Sequence, residues 1–219
     1  GDGAACHQLG QEHLRGVELD LAEAAADFER GCAAGHREAC VSLGLQVQDG
    51  RGVTRDVPRA AKLYEDACEA GAGIGCFNRG LMHLGAVAGP PDMAAADALF
   101  LKAKERYEVS CAAGELGWCL NLGVLYEGGY GVPRDPAKSA TVYRDACDKG
   151  HGDACTNLAL QMEAGRGVPP DSKGARALLE GACGDESPLA CGVHGQLLVQ
   201  GGDPAEVSRA LDLLERSCL

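Results

Sequence analysis

Residues 119–150 read CLNLGVLYEGGYGVPRDPAKSATVYRDACDKG, and the order of those side chains decides the architecture. From Cys119 onward, leucine or an equivalent recurs at spacings of three and four, the period of a helix with one buried face. Gly128, Gly129 and Gly131 then interrupt the pattern with a tight turn. Asp135 follows where a second periodic stretch begins, placed so that its carboxylate accepts the free N–H groups of a helix's first turn. The second stretch carries Tyr143 four residues before Cys147 and stops at Gly150. A helix, a turn and a second helix are predicted.

The same arrangement recurs along the chain. Ten of the twelve cysteines form five pairs with seven residues between partners: Cys32/Cys40, Cys68/Cys76, Cys111/Cys119, Cys147/Cys155 and Cys183/Cys191. Successive pairs start 36, 43, 36 and 36 residues apart, a period that marks a solenoid of stacked supersecondary units. In this register Asp20, Asp56, Asp92, Asp135 and Asp171 are predicted N-caps. Phe28, Tyr64, Tyr107, Tyr143 and Leu179 are predicted apolar anchors, and Gly35, Gly71, Gly114 and Gly150 helix stops. Four places after the second cysteine of each pair, or after Cys6, stands a small residue: Gly10, Gly44, Gly80, Gly123, Ala159 and Gly195. Glycine costs about 1 kcal/mol in a helix interior, so its recurrence predicts close approach of another backbone.

The chain is therefore expected to be all-α, a single solenoid over residues 1–219 with repeats at about 1–36, 37–72, 73–115, 116–151, 152–187 and 188–219. The third repeat is seven residues longer than the others. Seven residues turn a helix by about 700°, close to two turns, so a continuous helix from about Asp92 to Ala112 keeps both flanking faces in phase. It should overhang its neighbours by roughly 10 Å.

Composition narrows the function. Nine aromatic residues in 219 leave no large aromatic core, and 20 basic against 32 acidic residues give a net charge of −12. That field opposes a phosphate backbone, so nucleic acid is excluded as a partner. No apolar run reaches the roughly 18 residues of a membrane span, and the first residues, GDGAACHQLG, lack the basic start and apolar stretch of a signal peptide.

The pattern C-x-N-L-G-x-L-Y-x-x-G-x-G-V-x-x-D, followed by K-x-A-x-x-Y-x-x-A-C-x-x-G, resembles the Sel1-like repeat, a relative of the tetratricopeptide repeat. The paired cysteines are similar to those of the family's cysteine-rich bacterial branch, whose members are secreted or periplasmic and staple each repeat to the next. The resemblance implies a right-handed α-solenoid of about six antiparallel helix pairs. Residues 84–101 and the last segment depart from the consensus.

Each cysteine pair would join the end of one helix to the start of the next, which suits a disulfide. Zinc is disfavoured because its ligands come in closer C-x(2–4)-C spacing, and redox catalysis because no C-x-x-C occurs. Persistent disulfides predict a periplasmic or secreted protein, with the mitochondrial intermembrane space as the alternative. Cys6 stands in the second-member column and Cys218 in the first-member column. Their partners are expected eight residues before Cys6 and eight after Cys218, outside the given sequence, leaving both free or bonded to another chain.

No serine, metalloprotease or phosphate-binding motif is present, so catalytic residues, cofactors and metal ligands are all predicted to be none. The six histidines, His7, His13, His36, His83, His151 and His194, are expected at surface or packing positions. The expected function is a protein-interaction scaffold that binds a neutral or basic protein or peptide segment on its concave face. A cell-wall or β-lactam-directed hydrolase is the alternative, since some members of the cysteine-rich branch carry that label, and a structural spacer in a longer repeat protein is the second alternative.

A wheel of the first helices puts the cysteine and positions +3, +4 and +7 in the core and leaves −1, +2, +6 and +9 free. The free strip then offers Asn78, Asn121 and Asn157 at +2, flanked by Gln46 and Gln161 at +6, with Met82 and Leu125 at the same +6 position. Trp118 stands at −1. An amide ladder of this kind can pair with the backbone of an extended peptide, with Trp118 as an aromatic anchor. The same amides could instead bond to neighbouring helices, with Trp118 filling a gap.

Overall fold

The computed structural model of the protein describes residues 2–15, 19–87, 89–184, 187–201 and 206–216. Cys218 lies outside the described residues. Among the described residues the chain is all helical, with twelve helices and no strand. They are α1 (Gly3–Glu12), α2 (Leu21–Ala33), α3 (Arg37–Asp49), α4 (Val57–Glu69), α5 (Gly73–Leu84), α6 (Met93–Ala112), α7 (Leu116–Gly128), α8 (Pro136–Asp148), α9 (Gly152–Ala164), α10 (Ser172–Gly184), α11 (Pro188–Gly201) and α12 (Val207–Arg216).

The chain forms two compact units, Gly1–Arg106 and Tyr107–Leu219, whose boundary falls inside α6. In the first, α1/α2 and α3/α4 are helical hairpins and α5 packs on α4. In the second, α7/α8, α9/α10 and α11/α12 are hairpins, and α9 and α11 each also touch the second helix of the preceding hairpin.

The predicted caps form. Asp20, Asp56, Asp92, Asp135 and Asp171 each accept from the backbone N–H three residues on, at 2.8 to 3.0 Å. A cap of this kind contributes about 1 kcal/mol. The turn between helices needs glycine for space as well as for dihedral freedom. Gly167 has φ of 74°, and a Cβ there would stand 2.2 Å from the Pro136 carbonyl oxygen at the start of α8. The turn of one hairpin thus rests on the entry of the preceding second helix.

Phe28, Tyr64, Tyr107, Tyr143 and Leu179 are all buried. The recurring glycine of the first helices has a different neighbour from the expected one: a ring edge lies over it in four of the five cases. A Cβ on Gly10 would come within 2.5 Å of Phe28, one on Gly44 within 2.5 Å of Tyr64, and one on Gly123 within 2.1 Å of Tyr143. Where the anchor is the thinner Leu179, the partner position has grown to Ala159, and both are fully buried in one cluster.

Helix α6 runs unbroken through residues 99–105 and has 20 residues, where its counterparts α2, α4, α8 and α10 have 13. Phe100, one heptad before Tyr107, takes the anchor role in the first unit. A Cβ on Gly80 would come within 2.6 Å of its ring.

All five close cysteine pairs are disulfides. Cys32–Cys40 joins α2 to α3, Cys68–Cys76 joins α4 to α5, Cys111–Cys119 joins α6 to α7, Cys147–Cys155 joins α8 to α9, and Cys183–Cys191 joins α10 to α11. Their Cα atoms stand 4.5 to 4.8 Å apart. Each closes a nine-residue loop at a helix corner, worth about 2.6 kcal/mol in the chain-entropy account. Cys6 is a free thiol, half-buried.

Candidate functional site

The paired cysteines lie mostly inside the core. Every second member of a pair, Cys40, Cys76, Cys119, Cys155 and Cys191, is buried, because the start of each first helix turns its sulfur inward against the end of the preceding helix. Cys68, Cys147 and Cys183 are buried as well, and Cys32 and Cys111 are half-buried. The bridges therefore belong to the core and hold the first helices in place, rather than lining the strip that those helices present.

That open strip is narrower than a single-helix wheel suggests. Position +6 is buried in the four middle repeats, where Gln46 is 3% exposed, Met82 3%, Leu125 0% and Gln161 0%, whereas Glu12 is exposed and Leu197 half-buried at the two ends. Position −1 is closed at Ala39, Gly75, Ala154 and Ala190, and half-buried at Trp118. A first helix is flanked by its own second helix and by the second helix of the hairpin before it, so burial wraps past the edges of its apolar stripe. Positions +2, +5 and +9 remain open. Ser42, Asn78, Asn121, Asn157 and Val193 are half-buried at +2, and Asp49, Gly85, Gly128 and Ala164 are exposed at +9.

Between them lies a column that the wheel passes over. Position +5 holds Leu45, Leu81, Val124 and Leu160, and Leu45 keeps 45% of its surface exposed. Its signal in the sequence is an aliphatic residue repeated four times about 140° away from the cysteine, directly after the recurring small residue.

Of the predicted amides, Gln161 and Asn121 have structural partners, and only those at +2 keep an open face. Gln161 donates from Nε2 to Ser139 Oγ at 3.1 Å, wholly inside the core. Asn121 donates back to the Gly117 carbonyl at 3.3 Å. Trp118 stacks on Tyr107 with ring centroids 5.5 Å apart and donates from Nε1 to the Glu115 carboxylate at 2.9 Å. One face of Trp118 therefore fills a gap, and the ring is half-buried.

Asparagine at +2 follows the chemistry of the preceding anchor. Tyr64, Tyr107 and Tyr143 are each followed 14 residues later by Asn78, Asn121 and Asn157, whereas Phe28 is followed by Ser42 and Leu179 by Val193. An amide stands wherever the anchor has a hydroxyl. In the second unit Asn157 and Ser139 approach the Tyr143 phenol without closing a well-formed hydrogen bond, and burial pushes that phenol up to about 12.

In the first unit the pairing opens into a groove. Leu45, Gln48, Tyr64, Asn78, Leu81, Met82 and Val87 line a hollow of roughly 160 Å³ between α3, α4 and α5. Apolar side chains make most of its wall. Tyr64 is fully buried, and its hydroxyl meets no hydrogen-bond partner among the described residues. Burial, and secondarily the negative charge of Asp49, hold its phenol well above the ordinary range. An unpartnered buried hydroxyl costs about 1 to 3 kcal/mol, so the floor of this hollow favours a polar group brought from outside.

The histidines serve the helices. His36 and His151 are N-caps, their Nδ1 atoms accepting from Ala39 and Ala154 at 3.2 Å. His7 hydrogen-bonds Ser42 Oγ at 3.1 Å. No cluster of three metal-ligating side chains occurs among the described residues, and none of the described helices is long and apolar enough to cross a membrane.

The Sel1 repeat profile matches residues 3–36, 37–71, 119–151 and 152–183. Among solved structures, a Sel1 repeat protein from Oxalobacter formigenes is 22% identical, with a TM-score of 0.64, covering 99% of this chain and 85% of its own. The immunity protein Pa5087 from Pseudomonas aeruginosa is 15% identical with a TM-score of 0.63, over 98% of this chain and 82% of its own. A putative Sel1 repeat protein from Klebsiella pneumoniae subsp. pneumoniae is 22% identical with a TM-score of 0.53, over 90% and 93%. Among curated protein sequences none matches the chain. The structural likenesses give the fold, and Sel1 repeat proteins are generally protein-interaction scaffolds. With four profile matches that together span more than half of its length, and with the same helical hairpins, the chain belongs to the Sel1 repeat family.

Proposed function

We propose that this protein is a non-enzymatic scaffold that binds an extended protein segment on the face formed by its first helices. The observation that carries the reading is the open strip of the first helices in each unit: half-buried amides at +2 beside aliphatic side chains at +5, Leu45 and Leu81 in one unit and Val124 and Leu160 in the other. Amides able to pair with a peptide backbone, next to apolar side chains able to receive alternate side chains, are the two parts of extended-segment recognition. Asn78, Asn121 and Asn157 are the contact amides, and Trp118 offers its open face as an aromatic neighbour. Gln161 acts from behind the strip through its bond to Ser139, and Gln46 is buried beside it.

A net charge of −12 favours a neutral or basic segment and disfavours nucleic acid. Five disulfides fit an oxidising compartment, so the protein works in the periplasm or outside the cell.

Site-specific photo-crosslinking tests the reading. A photoreactive residue replacing Leu81 or Leu160 should capture the partner, whereas one replacing Lys62 on α4 or Arg144 on α8 should not. Capture from the second helices alone would overturn it.

A further inference from the structure

The groove between α3, α4 and α5 has a chemistry that narrows its occupant. Its wall is aliphatic: Leu45, Leu81, Met82 and Val87. Its polar lining residues are uncharged: Tyr64, Asn78 and Gln48. The phenol oxygen is buried and unpartnered. Asp49, exposed one residue beyond Gln48, acts on that phenol with its negative charge. Roughly 160 Å³ is well below the several hundred Å³ of a small-molecule site and suits one side chain.

We propose that this groove takes the side chain of a lysine from the bound segment, its methylene stem against Leu45, Leu81, Met82 and Val87 and its ammonium on the Tyr64 hydroxyl, the Asn78 amide oxygen and the Gln48 amide oxygen. An ammonium has three donors and no acceptor, which matches three neutral acceptors, and its long apolar stem needs an apolar wall. A carboxylate would meet the charge of Asp49 and the field of a chain at −12. A purely aliphatic side chain would fill the wall and leave the phenol unpartnered. The guanidinium of arginine is a broad planar fork, built for paired carboxylate oxygens rather than for a narrow floor of single acceptors. This assignment rests on the first-helix binding face and names what that face selects.

The test uses the whole protein and two synthetic peptides: an acetylated, amidated nine-residue Thr/Ala peptide with one central lysine, and the same peptide with norleucine there. Binding is followed by NMR through the Asn78 side-chain amide and the Leu81 methyl groups. The lysine peptide should bind at least tenfold more tightly than the norleucine peptide. Tyr64→Phe should remove that difference while leaving the fold intact, since Phe28 and Phe100 fill the same anchor role with no hydroxyl. Asp49→Asn should weaken the lysine peptide and flatten its salt dependence. Equal affinity for the two peptides, or a lysine preference indifferent to Tyr64→Phe, overturns the lysine pocket and leaves the first-helix face standing. Absence of saturable shifts with either peptide, with shifts on α4 instead, overturns both.

Discussion

Gly123→Ala puts a single methyl group against the most closely packed anchor of the second unit. The added Cβ would stand 2.1 Å from Tyr143 Cε1, 2.6 Å from Cδ1 and 2.7 Å from Cζ. Ordinary carbon contacts begin near 3.5 Å, so the ring must recede by roughly 1 Å or more. Tyr143 has no exposed surface and packs on Ala140 and Leu158, so that movement displaces core side chains. Overpacking of this severity costs about 3 kcal/mol, and the better helix propensity of alanine returns about 1, leaving a net loss of about 2 kcal/mol. Gly181→Ala is the control: it lies in α10 with nothing within 4 Å of the added Cβ, and should stabilise by about 0.5 to 1 kcal/mol. The chain already contains the compensated combination at Ala159 and Leu179, so Tyr143→Leu should rescue Gly123→Ala with a coupling energy of about 1 to 3 kcal/mol. Urea unfolding followed by Trp118, the single tryptophan and a member of the same unit, measures the parent, the three single variants and the double mutant. A double mutant whose loss equals the sum of the single losses within about 0.5 kcal/mol would refute the ring-over-glycine account.

Other consequences of the packing are equally open to measurement. Replacing both Cys147 and Cys155 by serine should cost about 2.6 kcal/mol in urea unfolding, and non-reducing mass mapping of the parent should place each of the five pairs in one short peptide. Ser139→Ala alone should cost about 1 to 3 kcal/mol by leaving the buried Gln161 amide unpaired, whereas Ser139→Ala with Gln161→Leu should recover most of that loss in the same assay. Burial holds His194 below its ordinary value, with Arg209 acting in the same direction, and burial also lowers His7, with His36 behind it. Native protein therefore binds fewer protons than unfolded chain below about pH 6.5, so stability is fully present above that pH and falls as the solution is acidified. Melting temperatures at pH 7.5 and 5.0 check the sign, and His194→Gln should shrink the difference.

Much of the fold was legible because the repeat states it several times. An aspartate before each second helix, a large residue four before each cysteine and a cysteine at every corner are local requirements, and the structure meets them through caps, anchors and disulfides. The heptad inserted before Tyr107 was legible for the same reason, since a helix keeps its phase over seven residues. The binding face was less legible. A wheel treats one helix at a time, but Gln46 and Gln161 are covered by neighbouring helices that a wheel does not contain. The recurring glycine pointed to a close approach, yet what approaches Gly44 is the ring of Tyr64, a side chain from the following helix. The link between Tyr64 and Asn78 was present as a 14-residue spacing, visible only when the anchor of one repeat is read against the first helix of the next.

The most direct test of the binding face is amide hydrogen exchange on the full chain, alone and saturated with its captured partner segment. Added protection should fall on the first helices, on α3 and α5 in one unit and on α7 and α9 in the other, strongest around Asn78 and Asn157, with α4 and α8 unchanged. Protection confined to α4 and α8, with the first helices exchanging as in the free protein, would contradict the account.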